Sequence, residues 1–220
     1  MIDVNQTLGD VAATQPGASH VFLRHRLDFC CGGGRSLRDA CRDAGLDPDV
    51  IIAEIAAETE PGSSAGWTDR PLDELVEFIV SHYHDRLRAD LPGLIAAAQR
   101  VEHVHASKED CPRGLASHLE HLQVEILQHL TKEEQVLFPA IYQGRRGAMI
   151  QMPVRMMMQE HDDHAENMQR SRVLAHNFEA PAEACGTWRA LYAGLHQLER
   201  ELMEHIHLEN NVLFVRALND

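Results

Sequence analysis

The sequence predicts an all-α protein in which an up-down-up-down four-helix bundle follows a small N-terminal helical domain. Four long amphipathic patterns follow one another with short breaks between them, as the helices of such a bundle do. A proline stands near the start of each pattern, where its missing N–H costs nothing. These prolines are Pro71, Pro112, Pro153 and Pro181. Aromatic residues make up only 5% of the chain, and no alternating strand pattern competes with the helical one.

Residues 1–58 form the predicted N-terminal domain, which is built of short helices. The stretch Ser36–Asp39 resembles an N-terminal capping box with Asp in place of Glu, and Gly45 suits the C-terminal end of that helix. The dipeptide Asp47-Pro48 opens another helix, over Val50 to about Glu58, with Pro at the first helical position.

A stretch rich in small residues, with one proline and two glycines, predicts a linker over residues 59–70. After it, residues 71–220 are expected to form the bundle. Its four predicted helices run over about 71–104, 112–142, 151–177 and 181–218. Pro92 lies inside the first of them and marks a position where that helix can kink.

The charge and hydropathy patterns exclude some classes of function. The chain has 220 residues, with 20 Lys and Arg against 34 Asp and Glu, and a formal net charge of −14. Such an acidic protein repels phosphate backbones, so nucleic-acid binding is not expected. No stretch approaches the ~18 uninterrupted apolar residues of a membrane-spanning helix, and the first residues lack the layout of a signal peptide. We therefore expect a cytoplasmic protein with reduced thiols.

The chain contains 15 histidines, a high number that directs attention to metal binding. The second and fourth predicted helices share the pattern His-x-x-x-Glu-x-x-Val-Leu-Phe, which begins at His129 in one and at His205 in the other. A His and a Glu four positions apart lie on one face of a helix. A single such pair is weak evidence, because most are solvated surface neighbours. Two copies within a longer internal repeat indicate a metal site.

The first and third predicted helices add a second repeat, His84-Asp85 and His161-Asp162, at nearly the same spacing. Each half of the bundle is therefore a helical hairpin, with one His on its first arm and the His-x-x-x-Glu motif on its second. Folding the hairpins together predicts one site of pseudo-twofold symmetry. Its six predicted ligands are His84, His129, Glu133, His161, His205 and Glu209.

Six ligands of this kind suit two metal ions, each held by two imidazoles and sharing two bridging carboxylates. Mixed nitrogen and oxygen ligation with open positions favours non-haem iron, whereas zinc usually takes closed four-coordinate sites, and manganese remains an alternative. Glu125, one turn before His129, and Glu160, beside His161, are predicted to hydrogen-bond to the ligands or to carry protons.

Two further histidines are close enough to the motifs to be considered as ligands. His164 competes with His161, because it lies three residues further along on a similar face. His105 follows His84 by about 31 Å along a continuous helix, and it has no counterpart in the second half. We therefore expect His161 in the site with His164 as its alternative, and we exclude His105 unless the first helix breaks sharply and returns.

These residues also carry a resemblance to a known family. The bundle resembles hemerythrin-like domains, and the whole chain is similar to the di-iron proteins that repair iron–sulfur clusters, the RIC, YtfE or ScdA family. The N-terminal match is the stretch 22–34, which contains Cys30-Cys31. In the bundle the match lies in the motifs around His84, Glu133, His161, His205 and Glu209. One departure is Val215, where the family pattern usually has Pro.

The resemblance implies a non-haem di-iron centre, in which two iron ions share an oxo-type bridge. It implies repair of iron–sulfur clusters that nitrosative or oxidative stress has damaged, by a supply of iron or electrons. The implied partners are the damaged iron–sulfur proteins, with NO or O₂ as small ligands, and the family analogy suggests a homodimer.

The same centre leaves other functions open: an enzyme that reduces or scavenges NO, or a module that binds O₂ or NO as a sensor or store. The appended domain with Cys30-Cys31 argues against simple storage, which needs only the bundle. Adjacent cysteines bridge each other only with strain, and the three glycines after them let the backbone approach a partner closely. We hypothesise that these two thiolates receive or relay iron, or contact the damaged cluster. The alternative is that they only pack the small domain.

Overall fold

The computed structural model describes residues 2–58 and 66–219. Within these residues the chain is helical, and its only β-type pairing is an isolated bridge between Thr7 and Ser36. The predicted all-α fold class is therefore confirmed. The first part of the predicted linker, residues 59–65, lies outside the described residues.

The N-terminal region folds into four short helices, and the predicted helix ends are present. The helices are α1 (Leu8–Thr14), α2 (Ala18–Arg24), α3 (Leu37–Ala44) and α4 (Pro48–Ala57). The hydroxyl of Ser36 accepts a hydrogen bond from the backbone N–H of Asp39 and caps α3. Gly45 ends that helix in the left-handed conformation, with φ +70°. Pro48 occupies the first position of α4 behind its N-cap Asp47.

The bundle consists of four long helices, three of which are interrupted by a π-helical turn. The first comprises α5 (Leu72–Ile79), a π turn (Val80–His84) and α6 (Asp85–Val104). The second comprises α7 (Leu115–Lys132), a π turn (Glu133–Leu137) and α8 (Phe138–Tyr142). The third is α9 (Gln151–Leu174), and the fourth comprises α10 (Gly186–Leu208), a π turn (Glu209–Leu213) and α11 (Phe214–Asn219).

The helices pack as an up-down-up-down bundle, since α6 contacts α7 and α10, and α9 contacts the same two helices. Two helices begin later than predicted. Pro112 and Pro181 lie in turns, where their carbonyls accept hydrogen bonds from the N–H groups of Leu115 and Ala184. Helices α7 and α10 therefore start only after these turns. Pro92 lies inside α6, which continues past it without a break.

The N-terminal helices share their hydrophobic core with the bundle. The ring centroids of Phe22 and Phe29 are 5.9 Å apart, and both residues belong to one buried cluster with Leu202 and Ile206 of α10. Trp67, inside the predicted linker, is also buried and packs on Phe78, with ring centroids 4.6 Å apart. The N-terminal domain is thus seated on the fourth helix of the bundle. Among the described residues, no helix has the length and apolar character needed to cross a membrane.

Candidate metal centre

The six side chains that the sequence predicts as metal ligands converge in the interior of the bundle. Each of them is at most 1% exposed to solvent. They are His84, His129, Glu133, His161, His205 and Glu209. Because they come from all four long helices, the site forms only when the two predicted hairpins pack together.

Three of the four long helices widen into a π turn at this site. One π turn ends at His84, and the other two begin at Glu133 and at Glu209. A π turn closes its hydrogen bonds over one more residue than an α turn and is often found at functional sites. Helix α9, which supplies His161, stays α-helical throughout. The irregular turns therefore occur where ligand side chains enter the interior.

The first group of ligand atoms combines His84 and His205 with the carboxylates of Glu133 and Glu209. All of these atoms lie within 4.8 Å of one another. The Nε2 atoms of the two imidazoles are 3.1 Å apart and face the same point. One imidazole comes from each half of the chain, so neither hairpin alone holds this group.

The second group combines His129 and His161 with the same two carboxylates. Its ligand atoms also lie within 4.8 Å of one another, and its two Nε2 atoms are 3.0 Å apart. The two imidazoles again come from different halves of the chain. The two halves of the internal repeat therefore form two equivalent groups of candidate ligands, which share the same two carboxylates.

The carboxylates lie between the two groups. Oε1 of Glu209 is 3.0 Å from Nε2 of His205, and its Oε2 is 3.1 Å from Nε2 of His161. Oε2 of Glu133 is 3.4 Å from Nε2 of His129 and 3.5 Å from the nearest imidazole nitrogen of the other group. Each carboxylate thus reaches both groups, as a bridging ligand must.

The chemistry of these side chains fits a pair of cations. All four oxygens of Glu133 and Glu209 are buried, and none has a hydrogen-bond partner among the described residues. Burying an ionised carboxylate costs several kcal/mol unless it is paired. Burial raises the pKa of Glu209, but the charge of His205 and the imidazole of His161 together hold it well below its ordinary value. The negative charge of Glu209 is therefore kept in the interior, where it faces imidazole nitrogens.

Protons compete with metal for two of these nitrogens. Burial lowers the pKa of His84, but Glu134, Glu209 and Glu133 outweigh that effect and raise it to about 9. Burial is likewise outweighed at His129, chiefly by Glu133, and its pKa is also raised to about 9. Metal binding at these imidazoles must therefore displace protons.

Acidic side chains outside the ligand groups orient two of the imidazoles. Nδ1 of His84 lies 2.7 Å from Oε1 of Glu134, and Nδ1 of His129 lies 2.9 Å from Oε2 of Glu160. An imidazole that donates its Nδ1 proton to a carboxylate presents the Nε2 lone pair to a metal. Glu160 thus makes the kind of contact that the sequence predicts for it, whereas the sequence reasoning missed Glu134.

A third imidazole is oriented by an amide that the sequence reasoning also missed. Nδ1 of His161 lies 2.8 Å from Oδ1 of Asn210. Asn210 directly follows Glu209, just as Glu134 directly follows Glu133. Glu134 and Asn210 therefore occupy equivalent positions of the internal repeat, although one side chain is a carboxylate and the other an amide.

The remaining candidates lie outside the ligand groups. Glu125 accepts a hydrogen bond of 2.8 Å from Nδ2 of Asn167 rather than contacting a ligand. The ring of His164 lies 5.0 Å from that of His129, yet His164 is in neither ligand group of the described residues. Burial, with the neighbouring imidazoles, lowers the pKa of His164 to about 3. His105 caps the far end of α6, away from the site.

The Cys30-Cys31 pair lies against the fourth helix. Cys30 is buried with its Sγ 3.4 Å from Sδ of Met203, whereas Cys31 is half-buried. With Asp28 the two thiols form a third group of possible ligand atoms within 4.8 Å of one another. Hydrogen bonding to Cys31 and burial raise the pKa of Cys30 well above its ordinary value, so its thiol is protonated. All five cysteines are free thiols.

Both parts of the chain match known protein-family models. Residues 4–59 match the family model ScdA_N, described as a domain of unknown function. Residues 75–217 match the model of the hemerythrin HHE cation-binding domain. All six converging side chains lie within the second match, and the Cys30-Cys31 pair lies within the first.

Curated relatives match along nearly the whole chain. The chain is 47% identical over 215 residues to the iron-sulfur cluster repair protein YtfE of Yersinia pseudotuberculosis serotype IB (strain PB1/+), with 97% of each chain covered. The identity and coverage are the same for the iron-sulfur cluster repair protein YtfE of Yersinia pestis (strain Pestoides F).

Proposed function

We propose that this chain, which belongs to the family of hemerythrin-like iron–sulfur cluster repair proteins that includes YtfE, repairs damaged iron–sulfur clusters. In this proposal a di-iron centre carries out the repair. The observation that carries the proposal is the pair of buried carboxylates, Glu133 and Glu209, which four imidazoles surround and whose oxygens have no hydrogen-bond partner among the described residues. A structural zinc site would need only one closed set of four ligands.

Iron suits this donor set better than the alternatives. Two shared carboxylates and two imidazoles for each ion give mixed oxygen and nitrogen ligation with positions left open, which favours non-haem iron. Two bound iron ions would supply one-electron chemistry and exchangeable coordination positions. Manganese, which the same donors accept, is the alternative that metal analysis distinguishes.

Acidic side chains in and around the centre would balance the charge of bound metal ions and fix the protons of the ligand imidazoles. Glu133 and Glu209 balance positive charge within a site that solvent barely reaches. Glu134 and Glu160 accept hydrogen bonds from the Nδ1–H groups of two ligand imidazoles, which keeps the Nε2 lone pairs available. Glu160 also pairs with Lys132 at the half-exposed edge of the site. A proton that leaves His129 therefore has an acceptor on the path to solvent.

We further propose that residues 1–58 act as a separate functional unit that presents Cys30-Cys31. Different family models match the residues before and after the predicted linker, which supports this division. The half-buried Cys31 is the thiol that an incoming cluster can reach, while the protonated Cys30 needs a change in its surroundings before it can act as a thiolate. Free thiols also suit work in the cytoplasm.

The function is tested by adding the iron-loaded protein, without air, to an iron–sulfur dehydratase whose cluster has been damaged by NO. Recovery of dehydratase activity in proportion to the added protein supports repair. A Glu133→Gln variant, which lacks one bridging charge, should restore no activity. Formation of N₂O with turnover and no recovery of the dehydratase would identify the protein as an NO reductase instead.

A further inference from the structure

One side chain contacts both the metal-binding cluster and the loop that carries the two cysteines. Oδ1 of Asn210 lies 2.8 Å from Nδ1 of His161, and its Nδ2 donates a hydrogen bond of 3.3 Å to the carbonyl oxygen of Cys30. Asn210 is 6% exposed, so water offers little alternative to either bond. The side chain spans the contact between the fourth helix and the N-terminal domain.

The neighbouring side chain fixes the same loop without contacting a ligand. Nδ2 of Asn211 donates to the carbonyl oxygens of Phe29 and Cys30, at 3.1 and 3.0 Å. The loop can lie this close because residue 33 is glycine. A Cβ at Gly33 would collide with the Asn211 side chain and with the carbonyl of Phe29.

Only a carboxamide can make both contacts of Asn210. His161 can bind a cation through Nε2 only when its proton is on Nδ1. Oδ1 of Asn210 must then accept a hydrogen bond from that N–H group, and the NH₂ group is turned towards the carbonyl oxygen of Cys30. The other tautomer of His161 allows the amide to flip, which would set Oδ1 against the Cys30 carbonyl, an acceptor facing an acceptor.

The other half of the repeat shows the contrast. The residue at the equivalent position, Glu134, accepts from Nδ1 of His84 and pairs on its outer side with Nη2 of Arg88 at 2.8 Å. A carboxylate cannot donate to a carbonyl, and here it faces a cation of the bundle instead. Of the two equivalent positions, the one that holds a carboxamide belongs to the half of the centre against which the Cys30 loop is docked.

We propose that Asn210 couples metal binding in the bundle to docking of the Cys30-Cys31 loop, an inference that rests on the proposed di-metal function. Loading the centre fixes the tautomer of His161, which fixes the amide of Asn210 and strengthens its bond to Cys30. Because such coupling is reciprocal, a docked loop also tightens the centre. A loop released from Asn210 loosens the hold on the metal, so exposure of the cysteines and exchange of iron are linked.

Hydrogen exchange measured by mass spectrometry tests the coupling. The backbone amides of residues 27–35 are compared in metal-free protein and in protein loaded with iron(II). Both samples carry Cys30→Ser and Cys31→Ser, so that no metal binds the thiols while the backbone carbonyl of residue 30 remains. We expect loading to slow exchange in this loop by about tenfold, within the usual range of coupling between sites.

Substitutions at Asn210 should remove this dependence on metal. Asn210→Asp keeps the acceptor for His161 and nearly the same shape but cannot donate to Cys30. We expect it to load two ions and to show the same loop exchange with and without metal. Asn210→Ala should lose the coupling too. Glu134→Gln is the matched control, because it changes the equivalent partner of His84 and should retain the coupling.

The metal content of each sample shows whether a negative result overturns the proposed di-metal function or only the role of Asn210. If the parent protein loads no pair of ions, the proposed di-metal function is wrong, and the coupling falls with it. If two ions bind but loading leaves exchange in the loop unchanged, the role of Asn210 alone is overturned. Metal-dependent protection that persists in Asn210→Asp would also overturn it.

Discussion

Glu133 and Glu209 are the side chains whose placement most needs a metal. Both are fully buried among imidazole nitrogens, and their oxygens have no hydrogen-bond partner in the part of the chain that the structure describes. The sequence predicts both, because each stands four residues after a His within a repeated motif. The partners of the imidazoles are harder to predict from the sequence. In an ideal α-helix, the side chain one position after a ligand points in a different direction from the ligand. The π turns at Glu133 and Glu209 change that direction, and Glu134 and Asn210 reach imidazoles as a result.

The bridging carboxylates can be tested at the residue scale. Glu209→Gln preserves the shape but removes the charge that both ligand groups share. We expect the metal content after reconstitution to fall from two ions per chain to fewer than one, as measured by elemental analysis. Glu125→Gln is the control, because Glu125 contacts Asn167 instead of a ligand. Two ions retained by Glu209→Gln would show that Glu209 is not a bridge.

At the scale of elements, the long helices and their order follow from the hydrophobic pattern, whereas their ends and irregular turns do not. The sequence places prolines 112 and 181 at helix starts, but both residues lie in turns that precede the helices. A π turn of only five residues, such as Val80–His84, changes the spacing of the hydrophobic residues too little to be recognised in the sequence. The contact of α10 with the N-terminal domain is also invisible in the sequence, because residues far apart in the chain make it.

That contact predicts a dependence of stability on pH. His207 of α10 is fully buried, its ring lies 5.4 Å from that of Phe29, and burial lowers its pKa to about 4. Because the folded pKa lies below the unfolded value of about 6.5, folding favours neutral His207. Its contribution is fully present above pH 6.5 and is lost as pH falls towards 4, a loss of about 3 kcal/mol.

Urea unfolding of the metal-free protein at pH 7.5 and at pH 4.5 measures this loss. The raised pKa values of His84 and His129 add stability over the same fall in pH, but they do so equally in the parent and in a His207 variant, so their effect cancels in that comparison. We expect His207→Gln to lose less stability than the parent between the two pH values. The exposed His121→Gln serves as the control. An equal loss in His207→Gln and the parent would rule out this role.

At the scale of the whole molecule, the chain brings a buried cluster of six candidate metal ligands close to the cysteine loop of the N-terminal helices. The sequence predicts both features separately, one from the repeat and the other from Cys30-Cys31. Their contact depends on side chains such as Asn210 and Asn211, which carry no periodic pattern. The docking of the two parts therefore emerges only from the folded structure.

The proposed division of labour between the domains predicts how a cysteine variant behaves. The double variant Cys30→Ser, Cys31→Ser should keep two metal ions per chain, because all six proposed ligands lie in the bundle. Its ability to restore a damaged iron–sulfur enzyme should be abolished. Metal content and recovered enzyme activity, measured on the same preparation, check both statements. Loss of the metal together with the thiols would contradict the division.

Metal analysis of the anaerobically reconstituted protein, read together with its absorption spectrum, decides whether the proposed di-iron centre exists. We expect two iron ions per chain and the near-ultraviolet absorption of a ferric pair after oxidation. Protein that folds with the same helical content but holds one metal ion or none per chain would contradict it.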